Sequence, residues 1–408
     1  MKKSLNDIIN NFQMVLYIVF VFLWFISSKI HWLRIVAIII FATFSAIQLL
    51  KILKRRNLFT NKSVFLYFLF LLWSFISVIW AQNAESVINK TFDLICNTVF
   101  MVLTYDYFYE LKISTKKFLA IFITIGVVFA IYVLMYYGPV NYFTLLTSGR
   151  RVGGDIINVN FIGLVCTMTF LIIIFSVISG LYKNKLVLLP SLIALIVSLG
   201  TGSKKVFLGL GVGLLLIFIY YIKGKITLKK IRNVLLIILI TFVAFDFIKE
   251  SPYFSRIFAR TDEMFNTLIK QDDYDGSTYE RGLYIKEGLK TFSEYPITGI
   301  GLNNASIITN RVSGKETYLH CNYVELLACT GIIGFALYYF IYCNNAIKCI
   351  KQGRNNKLMS FALILMIVML ALEVGSVTYY EIKTAMYFIL IFILVDKQNW
   401  IGDNTCEN

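Results

Sequence analysis

Apolar runs of membrane-spanning length recur along the whole chain, and no other feature constrains its fold as tightly. They fall at about residues 12–28, 34–50, 63–80, 86–108, 118–137, 158–181, 186–201, 204–222, 233–248, 323–343, 358–378 and 382–396. Roughly 20 apolar residues cross the hydrocarbon layer as one α-helix, and a helix satisfies its own backbone N–H and C=O groups where no water is present. The pattern predicts an all-α, polytopic transmembrane helix bundle of about twelve spans. Composition agrees: 58% of the 408 residues are hydrophobic, against about 45–50% in soluble domains. The break between the seventh and eighth runs rests on Gly200-Thr201-Gly202-Ser203.

The formal net charge of +16 would raise the question of nucleic acid in a soluble protein. Here the basic residues are confined to short loops between apolar runs, so no nucleic-acid partner is expected. Loops 51–62, 109–117, 182–185, 223–233 and 345–357 are each rich in Lys or Arg, whereas 81–85 and 378–381 have none. Basic loops stay in the cytoplasm, so this alternation places both termini there, with Lys2 and Lys3 inside. The first run lacks a small-residue cleavage site and reads as an uncleaved first span. The seven cysteines form no C-x-x-C pair and read as free thiols, with no metal cluster.

With that orientation, Arg150, Arg151, Lys204, Lys205, Arg256, Arg260, Arg281 and Arg311 fall on the outer side. The chain divides into nine spans over 1–248, a long extracytoplasmic loop carrying short helices over 249–322, and three spans with a short cytoplasmic tail over 323–408. In the loop, Tyr253, Ile257, Phe258, Met264, Phe265, Leu268 and Ile269 recur at helical spacing, predicting an amphipathic helix that ends at residues 273–277. A second helix opens with the capping-box spacing Ser277-Thr278-Tyr279-Glu280 and puts Ile285, Gly288, Leu289 and Phe292 on one face. Arg281 lies in its first turn, where the helix dipole favours an anion. A glycine-bearing turn follows at 296–305.

His320, one of two histidines, stands where this loop meets the next apolar run. Arginines fit phosphate through a planar, bidentate fork, and imidazole is the side chain suited to take a proton near neutrality. Together they suggest an anionic substrate and a proton acceptor. On the outer face of a bacterial membrane, the activated sugar donors are lipid pyrophosphates.

Plainer readings stand beside these. His320 could cap a helix, and Arg281 could pair with Glu280 or Asp275. Arg150 and Arg151, like Arg256, Arg260 and Arg311, could meet lipid headgroups. Lys90 and Asp93, three apart in an apolar run, are expected to pair. Asp246 and Glu373 are expected to snorkel or face water, Tyr105, Tyr107 and Tyr109 to form an aromatic belt, and His31 beside Trp32 to anchor at the interface.

The segment "HCNYVELLACTGIIG" (320–334) resembles the His-x-Asn…Glu…Gly-x-x-Gly signature of the O-antigen polymerase and O-antigen ligase superfamily. The stretch 280–305 resembles that family's Arg-bearing helix and Pro-x-x-Gly-x-Gly turn. Residues 199–215 resemble its Ser-Arg-Gly element, here Ser203-Lys204-Lys205, and residues 150–163 its Arg-x-x-Gly…Asn-x-x-Gly element. The resemblance implies a metal-independent glycosyltransferase without cofactors. Its donor would be an undecaprenyl-diphosphate-linked oligosaccharide, met among membrane lipids.

By the same resemblance, His320 is the general base and Arg281 a catalytic cation. Arg150, Arg151, Lys204, Lys205, Asn322, Glu325 and Arg311 bind substrate, although Glu325 also reads as orienting. The product would be a surface polysaccharide (O-antigen, capsule or exopolysaccharide), with room for a chain-length-regulating partner. A polymerase and a ligase differ only in acceptor, and nothing local separates them. A flippase is the alternative from another class, disfavoured because the charge lies in one outer loop and no repeat is evident.

Overall fold

The computed structural model describes residues 5–111, 113–148, 150–223, 276–352 and 356–397. All regular structure among them is helical. In chain order the helices are α1 (Leu5–Ile26), α2 (His31–Arg55), α3 (Lys62–Ile76), α4 (Ala84–Glu110), α5 (Thr115–Tyr137), α6 (Pro139–Thr147), α7 (Val159–Ile178), α8 (Leu188–Gly200), α9 (Lys204–Ile222), α10 (Gly276–Glu294), α11 (Ala305–Ser313), α12 (Asn322–Gln352), α13 (Lys357–Glu373) and α14 (Ile382–Asp396). Eight are long and apolar enough to cross a membrane: α1–α5, α7, α9 and α12. Eleven of the apolar runs coincide with helices; the twelfth, 233–248, lies outside the described residues. So do the amphipathic segment 253–269, Asp246, Arg256 and Arg260. Helix α6 matches no apolar run. It starts at Pro139, a residue suited to a first helical position, after Gly138 turns the chain at φ +74°.

The chain forms two compact units. One comprises residues 1–47, 113–263 and 401–408. Its centre is α7, which packs against α5, α8 and α9. Small residues bring those helices close: Gly126 meets Thr169, Gly163 meets Val206 and Thr201, and Gly213 meets Leu171. Phe25, Phe129 and Phe161 meet edge to face.

The other unit comprises residues 48–112 and 264–400. Here α12 packs on α3, α10 and α13, and α14 packs on α4. From Lys383 to Val395 every residue of α14 is buried, and from Ala385 to Val395 all of them are apolar.

Polar contacts of this second unit gather at its two ends. At one end the buried Asp106 accepts from Gln48 Nε2, Arg55 Nη2 and the Phe59 N–H, each at 2.6 Å. Arg55 also reaches Glu110 at 2.9 Å. Nearby on the chain ends of α3, α12 and α14, Asp396 takes Lys348 at 2.6 Å, Asn61 at 2.8 Å and the Tyr105 hydroxyl at 3.1 Å. Tyr105 and Tyr107 are thus buried in protein, and the expected lipid-facing aromatic belt is corrected: their rings pack inside, where the Tyr105 hydroxyl finds a carboxylate. Only Tyr109 is exposed.

Removing an acceptor that serves three donors leaves them stranded. Asp106→Ala should lower stability by about 2–3 kcal/mol, read as a fall in the thermal unfolding midpoint in detergent. Glu110→Ala, which removes a partly exposed partner, should cost under about 1 kcal/mol.

Candidate functional site

The opposite end of the second unit is organised by a break in α12. Gly331 has φ +64° and ψ −171°, which no helix accommodates. Three carbonyls lose their usual helical partners there, and each is met from elsewhere. Ala328 O accepts from Ile300 N–H at 3.0 Å, Cys329 O from Gly301 N–H at 2.9 Å, and Thr330 O from Trp73 Nε1 at 2.9 Å. The N–H of Ile332 donates to Pro296 O at 2.8 Å. The glycine-bearing turn is therefore a backbone brace for the break. It needs glycine at Gly299 (φ +64°), where a Cβ would fall on the Cys329 backbone, as one on Gly331 would fall on the Ile297 carbonyl.

The same turn is tied to the start of α4. Asn304, fully buried, accepts from the Asn83 N–H at 2.7 Å and donates to Asn83 O at 3.2 Å and Leu302 O at 3.0 Å. Leu302 N–H donates to the Ser77 hydroxyl at 3.0 Å, and Asn303 Nδ2 to the Ser86 hydroxyl at 2.7 Å.

On this frame sit α10, α11 and the loop 314–321. The buried face of α10 is Tyr284, Gly288 and Thr291; Leu289, expected on the inner face with Gly288, is exposed. Gly288 fits against Val324 and Leu319, and this close approach turns the helix so that Leu289 points away. The Tyr284 hydroxyl meets the Ser313 hydroxyl at 2.6 Å, and Lys315 bridges to Glu280 at 2.6 Å. Glu280 is therefore paired with Lys315 and not with Arg281. Asp275 lies outside the described residues.

His320 is half-buried between two rings. Tyr318 lies 4.1 Å away by centroid, and Tyr284 stacks at 6.3 Å with an interplanar angle of 12°. Its backbone is left-handed, φ +59°, a conformation that costs a non-glycine residue about 1–3 kcal/mol. What holds it is the buried Glu325, whose Oε2 accepts from the Leu319 N–H at 2.8 Å; Oε1 lies 3.5 Å from the Tyr379 hydroxyl. Half-buried Arg281 stands near this group. Burial pushes the Tyr318 hydroxyl up from its ordinary value, and the Arg281 charge pulls it back. Burial likewise raises the Cys321 thiol above its ordinary value.

Asn322, the first residue of α12, is also buried. Its Oδ1 accepts from Thr378 N–H at 2.9 Å and Tyr379 N–H at 3.3 Å. Its Nδ2 donates to the Tyr339 hydroxyl at 3.1 Å and to Glu373 Oε2 at 3.3 Å. Glu373, expected to snorkel or face water, is 1% exposed. Besides Asn322 it accepts from Tyr338 at 3.0 Å, Tyr339 at 2.9 Å, Tyr342 at 2.7 Å and Thr378 at 3.1 Å. Four hydroxyls and an amide replace water, which is how a carboxylate is tolerated there. The Tyr338, Tyr339, Tyr342 cluster in "ALYYFIYC" was the sequence signal for it. Lys90 pairs with Asp93 at 3.1 Å as expected, and also lies over the Tyr380 ring.

In the first unit, the elements at 150–163 and 199–205 come together. Arg151 Nε donates to Thr201 O at 2.9 Å, Val152 N–H to Gly200 O at 3.0 Å, and the Ser203 hydroxyl to Asn160 Oδ1 at 2.7 Å. Lys204 and Lys205 open α9 beside this contact, half-buried, and Arg150 is exposed. In the second unit His320 and Glu325 flank the same short backbone stretch, the Arg281 charge acts on neighbouring Tyr318, and Arg311 is exposed on α11.

If the brace at Gly331 holds the site, Gly331→Ala should destabilise the chain by about 2 kcal/mol or more, because a Cβ there meets backbone that cannot yield. A drop of several degrees in the unfolding midpoint is expected, whereas Gly314→Ala, with open space around it, should change stability less.

Comparison with known proteins bears on this same region. No curated protein matches the chain. Residues 189–339, from α8 to the middle of α12, match the family model described as O-antigen ligase. The match takes in Lys204, Lys205, Arg281, Arg311, His320, Asn322 and Glu325, and stops short of Arg150 and Arg151. The apolar helices make this chain an integral membrane protein. Over residues 189–339 the chain is similar to the O-antigen ligase family, in agreement with the superfamily that its motifs resemble.

Proposed function

We propose that the chain is a polymerase, joining undecaprenyl-diphosphate-linked oligosaccharide repeat units into a surface polysaccharide on the outer face of the bacterial cytoplasmic membrane. The observation that supports glycosyl transfer is His320 itself, held left-handed between Tyr284 and Tyr318 at the head of α12, with the Arg281 charge acting on Tyr318; polymerase is preferred to ligase because the polymerases of the family it resembles tolerate drift such as the lysine at Lys204. An imidazole carried on a strained, braced backbone at the end of a membrane helix fits a group that must meet a substrate hydroxyl. The alternation of basic and uncharged loops supports the placement of this end outside and of both termini in the cytoplasm.

In the proposed step, His320 takes the proton from an acceptor sugar hydroxyl. The oxygen attacks the anomeric carbon of the donor, the bond from that carbon to the lipid diphosphate breaks, and the diphosphate leaves with the electron pair. Arg281, which lies in the second turn of α10 because the helix already begins at Gly276 and not after the expected Ser277 cap, meets the charge that grows on it, so the chemistry needs no metal. Asn322 and Glu325 are buried and act by orientation. Arg150, Arg151, Lys204 and Lys205 are proposed donor-binding cations on the strength of the family elements they occupy.

The test is turnover of a lipid-diphosphate-linked repeat unit by the purified full chain in liposomes. Wild type should give a ladder of longer lipid-linked glycans. His320→Ala should slow it by about 100-fold or more with donor binding retained. Arg281→Ala should weaken both binding and turnover, with only partial recovery in Arg281→Lys. An undiminished ladder in His320→Ala removes the base, and product that forms only with an added lipid or protein acceptor turns the reading to a ligase.

A further inference from the structure

A second feature at this end of the second unit is a hollow of about 400 Å³ lined by Asn83, Ser306, Ile307, Asn310, Arg311 and Glu316. Its walls are fixed from behind. Ala305, Ile308 and Thr309 bury the other face of α11, Thr309 bonds both to Thr317 N–H and to Thr317 O at 3.0 Å, and the paired bonds to Asn304 hold Asn83. The loop 314–321 contributes Glu316 to the hollow and, four residues on, carries His320.

The chemistry of the wall is mixed. Arg311 only donates, Glu316 only accepts, and Asn83, Asn310 and Ser306 offer both kinds of group. Among the described residues neither Arg311 nor Glu316 forms an ion pair. A phosphate or lipid headgroup would be opposed by the Glu316 carboxylate, and a cation by the Arg311 guanidinium. A neutral sugar suits all of them, because each hydroxyl donates and accepts at once, and Ile307 offers an apolar contact for a face of C–H groups.

We infer that this hollow is a glycan subsite, taking an uncharged sugar residue of the acceptor chain at a distance from the reacting hydroxyl. It rests on the glycosyl-transfer reading and specifies where the acceptor is held. A fixed, preorganised wall loses little entropy on binding, which suits a subsite that must grip and release successive repeats.

The probe is the repeat-unit oligosaccharide released from the host's own lipid-linked pool by mild acid, titrated against the full chain in nanodiscs. Wild type should bind it, and Asn310→Ala and Glu316→Gln, both at exposed positions, should each weaken Kd about tenfold, with unfolding midpoints unchanged. His320→Ala should bind as wild type does, which separates the subsite from the chemistry. Equal affinity in all variants, or no binding to wild type, overturns the subsite even where a polymer ladder forms. Displacement of the oligosaccharide by glucuronate or inorganic phosphate in preference to neutral sugar overturns the class of ligand. Binding that is lost in these variants while no ladder forms keeps the subsite and discards the polymerase.

Discussion

A helix that breaks in an apolar bundle must find partners for every carbonyl it releases, and in α12 that requirement shapes everything around it. Gly331 turns the chain, and the freed carbonyls of Ala328, Cys329 and Thr330 are met by two backbone N–H groups of the 296–305 turn and by Trp73. The turn can come that close only because Gly299 and Gly331 face each other's backbone without side chains. Once docked, the turn fixes where α10 ends and α11 begins, and so where the loop carrying His320 must run.

A second polar system secures the other side of that loop. Glu373 gathers four hydroxyls and Asn322, Asn322 holds the backbone of Thr378 and Tyr379, and Glu325 holds the backbone of Leu319. None of these groups is exposed, so each interaction is made at low dielectric and is costly to leave unmade. The strained backbone of His320 is thus held from both sides, while its ring remains half-buried between tyrosines.

Much of this was legible in the sequence. Runs of apolar residues place helices because length and hydropathy alone decide a span, and eleven of twelve runs fall on helices. The Lys90–Asp93 pair followed from spacing, and the region around His320 and Arg281 from its motif. The brace did not follow: a Gly-x-Gly turn and a Gly in a distant helix give no sign in one sequence that their backbones meet. Glu373 was misplaced because a carboxylate near a span end looks solvated until its tyrosine partners, some 30 residues earlier, are seen beside it. Leu289 was misplaced because apolar spacing on α10 is compatible with two faces, and the close contact of Gly288 with Val324 and Leu319 selects one.

In the proposed reaction Glu325 positions and His320 reacts. Single-turnover glycosyl transfer from a lipid-diphosphate donor by Glu325→Gln and Glu325→Ala separates those roles, since a glutamine oxygen can still accept from Leu319 N–H and a methyl group cannot. Glu325→Gln should stay within a few-fold of wild type, while Glu325→Ala should fall by about 10- to 100-fold at unchanged donor affinity. Equal loss in both variants would show that the Glu325 charge, and not only its bond to the Leu319 N–H, is required, and would contradict a purely positioning role.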